Sequence, residues 1–522
     1  MRESRSMKDT FYVTTPIYYP NDVPHIGHAY TTVATDFVSR YHRLRGEKVF
    51  FLTGTDEHGK KVPQAAQEQG LEPQEFVDRM EPRWREVWER LEISNDDYIR
   101  TTEPRHEAAV AKLLQAVHDN GREDIYLGTY EGLYCVSCEA YYTEEELNDG
   151  LCPIHGRPVE AMSEENYFFR LSAYADRLLE HYEAHPEAIQ PETRRNEVLS
   201  TIRGGLRDFS ISRTSFAWGV PLPWDPKHVC YVWFDALTNY ITAAGYADDP
   251  DRFARSWPAD VHFIGKDILR FHAIYWPAML MAGGVEPPRQ VWAHGFLLVG
   301  GEKMSKTKLT GIHPFELVDY FGADSYRYYF MREIAFGQDG SFSWESMLAR
   351  HNADLANGLG NLASRVLAMI GSNFDGVVPE PAAPGLDGGL PATIDDVVRR
   401  YDGHMDRLEL APALGAVWDI VGRANEYLVE VEPWKLAKDP ARRDEVATIL
   451  YTAAEALRVL AVLISPIMPA AAGRLWLALG VSDPLEKQRL PEAAAWGGLA
   501  PGTKVTKGES LFPRLEEEEE KE

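Results

Sequence analysis

A chain of 522 residues, 44% hydrophobic and with 13 Trp, is too long for one core and has apolar material for several, so three or four domains are expected. With 80 acids against 54 bases the formal net charge is −26, which excludes general adhesion to nucleic acid and confines any RNA contact to local basic grooves. No membrane span is expected: the apolar stretch Val459 to Gly473 is interrupted by Ser465, Pro466 and Pro469 and reads as a buried helix pair. Met1-Arg2-Glu3-Ser4-Arg5-Ser6 lacks an apolar signal core, so a cytoplasmic location is expected.

The first predicted strand is Phe11-Tyr12-Val13-Thr14-Thr15, an aromatic and β-branched run. Helical spacing follows at Val33, Phe37, Val38 and Tyr41, Gly46 reads as the C-cap, and Lys48-Val49-Phe50-Phe51-Leu52 as the next strand, which makes the opening a βαβ unit. Pro24-His25-Ile26-Gly27-His28 lies at the helix start. Exposed N–H groups and the helix dipole favour phosphate there; His25 and His28 can donate to phosphoryl oxygens, and Gly27 lets a nucleotide lie close to the backbone. Alone, the pair reads equally well as two surface histidines.

Further along, Cys135-x2-Cys138 and Cys152-x2-His155 sit among Gly132, Gly150 and Gly156. Two pairs with two-residue gaps can converge on a tetrahedral ion, and three thiolates with one imidazole suit a structural Zn²⁺ with no open position for catalysis. Cys230 reads as a small core thiol. Strand signals return at Cys230-Tyr231-Val232-Trp233-Phe234, Val261-His262-Phe263-Ile264 and Val291 to Val299. One α/β sheet of Rossmann type, interrupted by an insertion, accounts for this. The parallel sheet would occupy 1–115 and 229–298, and the zinc-binding insertion 116–228.

Lys303-Met304-Ser305-Lys306-Thr307 places two ammonium groups beside hydroxyls, after Gly300-Gly301 and before Thr310-Gly311. A lysine loop of this kind, expected to move, puts positive charge on leaving phosphates when substrate is bound; standing alone it would be a solvated basic turn. The region 299–357 is expected to carry this loop, and 358–522 an all-α bundle. Leu355, Leu359, Leu362, Val366 and Ile370 keep one helix face, as do Ile449, Ala453, Leu457, Leu460 and Ile464. Gly376 to Pro391 reads as a loop, and the acidic end Glu516 to Glu522 as a solvated, disordered tail.

Order, spacing and strand context of the His25–His28 and Lys303–Thr307 segments resemble the signature pair of class I aminoacyl-tRNA synthetases. From Phe11 to about Arg514 the chain resembles the methionyl-tRNA synthetases, through Thr53-Gly54-Thr55-Asp56-Glu57-His58-Gly59, Tyr231-Val232-Trp233-Phe234-Asp235-Ala236 and Phe263-Ile264-Gly265-Lys266-Asp267-Ile268. Thr307 departs from the usual Ser, and Leu237 from a proline found in some members. The resemblance implies activation of L-methionine with ATP and Mg²⁺, then transfer to the 3′-terminal adenosine of initiator and elongator tRNA(Met). It implies that His25, His28, Lys303 and Lys306 are catalytic. Gly27, Asp267, Gly295, Phe296, Met304, Ser305 and Thr307 would meet ATP. Asp56 would take the amino acid's ammonium, with Ile17, Tyr19, Trp233, Ala236, Leu237, Tyr240, Ile268 and His272 around its side chain. Asn361, Arg365 and Trp434 would read the anticodon, and the insertion would receive the acceptor end. A monomer is expected, since the chain stops soon after Leu511-Phe512-Pro513-Arg514. Two alternatives stand beside this reading. Another class I synthetase is the first, but the large isoleucine, leucine and valine enzymes carry an editing insertion, for which the ~113 residues between the sheet halves are few; the second, a synthetase-derived tRNA-binding module without catalysis, would not need His25, His28, Lys303 and Lys306.

Overall fold

The structure, a computed structural model, describes residues 8–135, 140–142, 144–154, 156–299, 302–303 and 313–516. They form two compact units. The first holds the described residues of Met1–Pro24, Val49–Val87 and Asn95–His294; the second holds those of His25–Lys48, Trp88–Ser94 and Gly295–Glu522.

In the first unit the strands in chain order are β1 (Thr10–Tyr18), β2 (Lys48–Thr55), β3 (Asp97–Arg100), β4 (Ile125–Cys135), β5 (Ala140–Tyr142), β6 (Glu160–Phe169), β7 (Ile189–Gln190), β8 (Phe209–Ser210), β9 (Ser212–Arg213), β10 (Pro221–Leu222), β11 (Asp225–Cys230), β12 (Val261–Gly265) and β13 (Val291–His294). Six form the main sheet, in the order β3-β2-β1-β12-β13-β7. The pairs β2/β3, β1/β12, β12/β13 and β13/β7 are parallel. Continuous burial from Tyr12 to Pro16, rather than alternation, is what a parallel strand covered on both faces requires.

The insertion is built on a long antiparallel pairing of β4 with β6, from Ile125↔Phe169 to Tyr134↔Glu160. It then sends β7 back to the edge of the main sheet, where Ile189 pairs with Val291. The stretch Cys230 to Phe234 departs from the strand expected of it. β11 stops at Cys230, and Val232–Leu237 is a helix followed directly by the helix Asn239–Ala244. Aromatic and β-branched residues favour strands only weakly against tertiary context; here Phe234, Leu237, Tyr240 and Ile241 pack into the main core cluster.

The second unit contains the helix Ile26–Leu44, the short strands β14 (Leu297–Val299), β15 (Glu302–Lys303) and β16 (Gly340–Phe342), and a helical bundle. The bundle includes Ala323–Glu333, Asn361–Asn373, Leu390–Asp406, Leu410–Val431, Arg443–Ile464 and Pro469–Ala478. Leu355, Leu359, Leu362, Val366 and Ile370 are all fully buried, as the spacing predicts. Pro440–Ile464 is long and apolar enough to cross a membrane by length and composition, yet its apolar window lies wholly inside the bundle.

Helix Ile26–Leu44 is fixed to this unit along its length. Tyr30 meets the Phe330 and Phe336 rings at 6.3 and 5.8 Å. Asp36 pairs with Arg327 at 2.6 Å, both side chains fully buried. Tyr41 donates to Asp402, Arg45 pairs with Asp406 at 2.7 Å, and the Leu490 N–H donates to the Leu44 carbonyl at 2.9 Å.

Candidate active site

His25 is the N-cap of helix Ile26–Leu44, with an extended backbone (φ −107°, ψ 171°). Its Nδ1 accepts the Gly27 N–H at 3.1 Å, and Nδ1 of His28 accepts the His25 N–H at 3.3 Å. This is a capping box made of two imidazoles, whose rings stack at 3.7 Å. With both Nδ1 atoms accepting, the neutral rings carry hydrogen on Nε2, the atom able to donate to a phosphoryl oxygen. Gly27 has a further reason to be glycine: a Cβ there would lie 2.9 Å from the His25 ring.

The residues assigned to the amino acid belong to the first unit. Asp56 follows β2, is 4% exposed, and its N–H donates to the Tyr18 carbonyl at 2.9 Å. Trp233, Ala236, Leu237 and Tyr240 lie on consecutive helices at spacings of 3, 1 and 3 residues, which is one helical face. Ile17, Trp233 and Ile268 are partly buried against the cluster that contains Leu237 and Tyr240. Trp233 stacks on Phe271 at 3.7 Å with planes 5° apart. The Tyr19 ring lies under the Lys61 ammonium at 3.9 Å.

His272 is fully tied. Its Nδ1 lies 3.0 Å from the Ile268 carbonyl, which only accepts, so Nδ1 bears the hydrogen and Nε2 accepts from the Tyr240 hydroxyl at 2.7 Å. Burial brings the His272 pKa down to about 4, so the ring is neutral at working pH. Tyr240 is raised by burial and stays protonated.

Asp267 is exposed, in the single 3₁₀ turn Lys266–Ile268 after β12. Gly295 packs against another chain segment, since a Cβ would stand 2.3 Å from the Gln338 carbonyl group. The Phe296 N–H donates to Asp339 Oδ1 at 2.8 Å. Lys303 lies on β15, its backbone opposite Leu298; Met304, Ser305, Lys306 and Thr307 lie outside the described residues. So do Cys138 and His155 of the metal pattern. Cys135 ends β4 and Cys152 sits in a turn whose carbonyl accepts the Gly156 N–H at 2.8 Å; each is 1% exposed.

In the helical bundle Asn361 is exposed and Arg365 half-buried on the helix Asn361–Asn373. Trp434, 39% exposed on the short helix Pro433–Leu436, receives the Arg365 guanidinium 5.2 Å above its ring. The structure thus brings the arginine and the tryptophan together.

Sequence reasoning missed Phe271, the partner of Trp233, although its position three residues after Ile268 and one before His272 was a usable helical signal. It also gave no role to Glu57, His58 and Asp235, three buried ionisable residues inside the quoted motifs.

Residues 11–160 and 144–367 match the family model of class I tRNA synthetases (M), and residues 378–522 match the anticodon binding domain of methionyl tRNA ligase. The methionine–tRNA ligase of Streptomyces coelicolor is 54% identical over 526 residues, covering 97% of each chain. That of Bacillus subtilis is 48% identical, over 98% of this chain and 79% of its own. Mycobacterium tuberculosis methionyl-tRNA synthetase in complex with methionyl-adenylate superposes with a TM-score of 0.91 at 47% identity, covering 97% of this chain and all 100% of that one. On this likeness over its whole length, the chain belongs to the methionyl-tRNA synthetases of class I, and its reaction is the ATP-driven ligation of methionine to tRNA.

Proposed function

We propose that the residues named above divide the reaction as follows. The methionine carboxylate attacks the α-phosphorus of ATP, the bond to the β-phosphate breaks, and pyrophosphate leaves. No protein nucleophile is needed, so positioning and electrostatics carry the rate. His25 and His28 donate from Nε2 to the α-phosphoryl oxygens, where charge develops. Lys303 and Lys306 hold the leaving phosphates, with Mg²⁺ carried in by the nucleotide. Gly27, Asp267, Gly295, Phe296, Met304, Ser305 and Thr307 border ATP. The 2′-hydroxyl of the tRNA's terminal adenosine then attacks the methionyl carbonyl carbon, and AMP leaves.

Asp56 takes the ammonium. The Trp233–Phe271 stack and the Tyr240–His272 pair suit a polarizable thioether, which contacts ring edges favourably, with Ile17, Tyr19, Ala236, Leu237 and Ile268 completing the walls. Asn361, Arg365 and Trp434 meet the anticodon of initiator and elongator tRNA(Met), splayed bases stacking on aromatic and guanidinium planes. The histidine capping box carries the catalytic part of this reading, because it fixes which ring nitrogen bears the proton.

Cys135, Cys138, Cys152 and His155 would hold a structural Zn²⁺. The burial of Cys135 and Cys152 at a strand end and in a tight turn suits thiolate ligands, and four protein ligands would cross-link the insertion without taking part in catalysis. The domains read as catalytic halves over 1–115 and 229–298, the insertion over 116–228, the lysine-loop region over 299–357 and the anticodon domain over 358–522, in a cytoplasmic monomer.

Methionine-dependent ATP–pyrophosphate exchange tests the catalytic assignment. Lys306→Ala is expected to slow it by about 10²–10³; an unchanged rate would remove that lysine from the reaction.

A further inference from the structure

The loop after β2 carries three consecutive buried ionisable side chains, Asp56, Glu57 and His58, at 4%, 0% and 4% exposure. Only Asp56 has a place in the chemistry above. Burying charged groups in succession is costly unless each is paired and hydrogen-bonded, and the two neighbours of Asp56 are satisfied on different sides of the fold.

Glu57 faces the end of β3. Its Oε1 accepts from Thr55 Oγ1 at 2.8 Å and from Arg100 Nε at 2.7 Å, and its Oε2 accepts from Thr102 Oγ1. Its backbone N–H donates to Thr101 Oγ1 at 2.8 Å, and its carbonyl accepts from the Trp218 indole at 2.7 Å. The other arm of Arg100 reaches Asp78 at 2.6 Å.

His58 faces the helix Val232–Leu237. Its Nδ1 donates to Asp235 Oδ2 at 2.7 Å, and His106 Nε2 donates to Oδ1 of the same carboxylate at 2.8 Å. Burial alone would raise the Asp235 pKa, but His58 and His106 bring it down to about 2, so it remains an acceptor for both rings. Asp235 lies between Trp233 and Ala236 in sequence, so the ammonium-binding loop and the side-chain pocket share one buried carboxylate.

We propose that Glu57 and His58 are positioning residues for the Asp56 carboxylate, and that the His58–Asp235–His106 triad couples it to the helix carrying Trp233 and Ala236. Affinity for the amino acid, rather than for ATP, is then what the triad sets. The inference rests on Asp56 as the ammonium acceptor, and the test separates the two.

The two histidines use different ring atoms, which gives the test its handle. An asparagine amide stands where Nδ1 stands, and a glutamine amide where Nε2 stands. In ATP–pyrophosphate exchange with the full chain, His58→Gln and His106→Asn are expected to raise the KM for methionine about tenfold or more with the KM for ATP unchanged, as loss of preorganisation predicts. His58→Asn and His106→Gln are expected to restore it to within about twofold, because the donor to Asp235 is kept. Asp56→Asn runs alongside: if it leaves the KM for methionine unchanged, the ammonium assignment itself fails. If Asp56→Asn raises that KM but asparagine and glutamine behave alike at His58 or at His106, the triad's role is overturned. Parallel losses in kcat, both KM values and thermal stability would reduce the triad to a folding element and overturn it too.

Discussion

The His272 ring is held by two hydrogen bonds of opposite sense, one given to the Ile268 carbonyl and one received from Tyr240. Tyr240→Phe removes the donor and leaves Nε2 buried without it, a loss of about 1–3 kcal/mol. The KM for methionine should rise about tenfold while the KM for ATP holds, as exchange kinetics would reveal. The pKa of His272 is lowered to about 4 by burial, so around the ordinary imidazole value of roughly 6.5 it does not change charge. A titration of methionine KM near that value that disappears in a His272 variant would contradict this. As the pH falls the unfolded state binds the extra proton first, so this histidine's contribution to stability is intact above about 6.5 and declines as pH falls toward 4. Much at this scale was legible in the sequence. Trp233, Ala236, Leu237 and Tyr240 have helical spacing, although the aromatic and β-branched composition around Cys230 to Phe234 argued for a strand and hid it.

For whole elements, helix Ile26–Leu44 shows what local signals contain and what they lack. Its start at the two histidines and its stop near Gly46 follow from capping and turn preferences that act over a few residues. Its anchor, Arg327, stands 291 residues from Asp36, and no local pattern announces such a pairing. Arg327 also donates to the carbonyls of Leu91, Pro466 and Ile467 at 3.0, 3.0 and 2.7 Å. The Asp36 carboxylate accepts from Arg40 and Ser94 as well. Arg327→Met would leave that carboxylate buried with fewer partners and is expected to cost about 3–5 kcal/mol, read as a lower denaturant midpoint. Burial would raise the Asp36 pKa, but Arg40 and Arg327 overcome it and bring it to about 2. The pair's share of stability is therefore present above the ordinary value of 3.8 and is lost as pH falls through about 2.

On the scale of the molecule, the change from a parallel α/β sheet to a helical C-terminal region was readable because hydrophobic period, strand signals and helical faces change along the chain. The return of β7 to the main sheet was not, since a strand of two residues, Ile189–Gln190, carries no periodicity. Trp434→Ala should raise the KM for tRNA, base stacking being worth about 1–3 kcal/mol, and leave exchange measured without tRNA as it was. Chelation should release one Zn²⁺ per chain and loosen the insertion, seen as faster proteolysis between β4 and β6; a metal-free chain of equal resistance would remove the zinc from the proposal.

Helix Ile26–Leu44 bears the histidines at its start yet closes against Arg327, Phe330, Phe336 and Asp402, which makes linear sequence a poor guide to dissection. A fragment ending near His294 would retain the helix, with Arg40 and Ser94 still on Asp36, but lose Arg327 and the residues that cover Tyr30 and Tyr41. It would expose an apolar stripe beside a carboxylate short of one arginine, so such a piece is expected to aggregate on expression. A useful excision must leave the bundle in place and begin from the insertion instead.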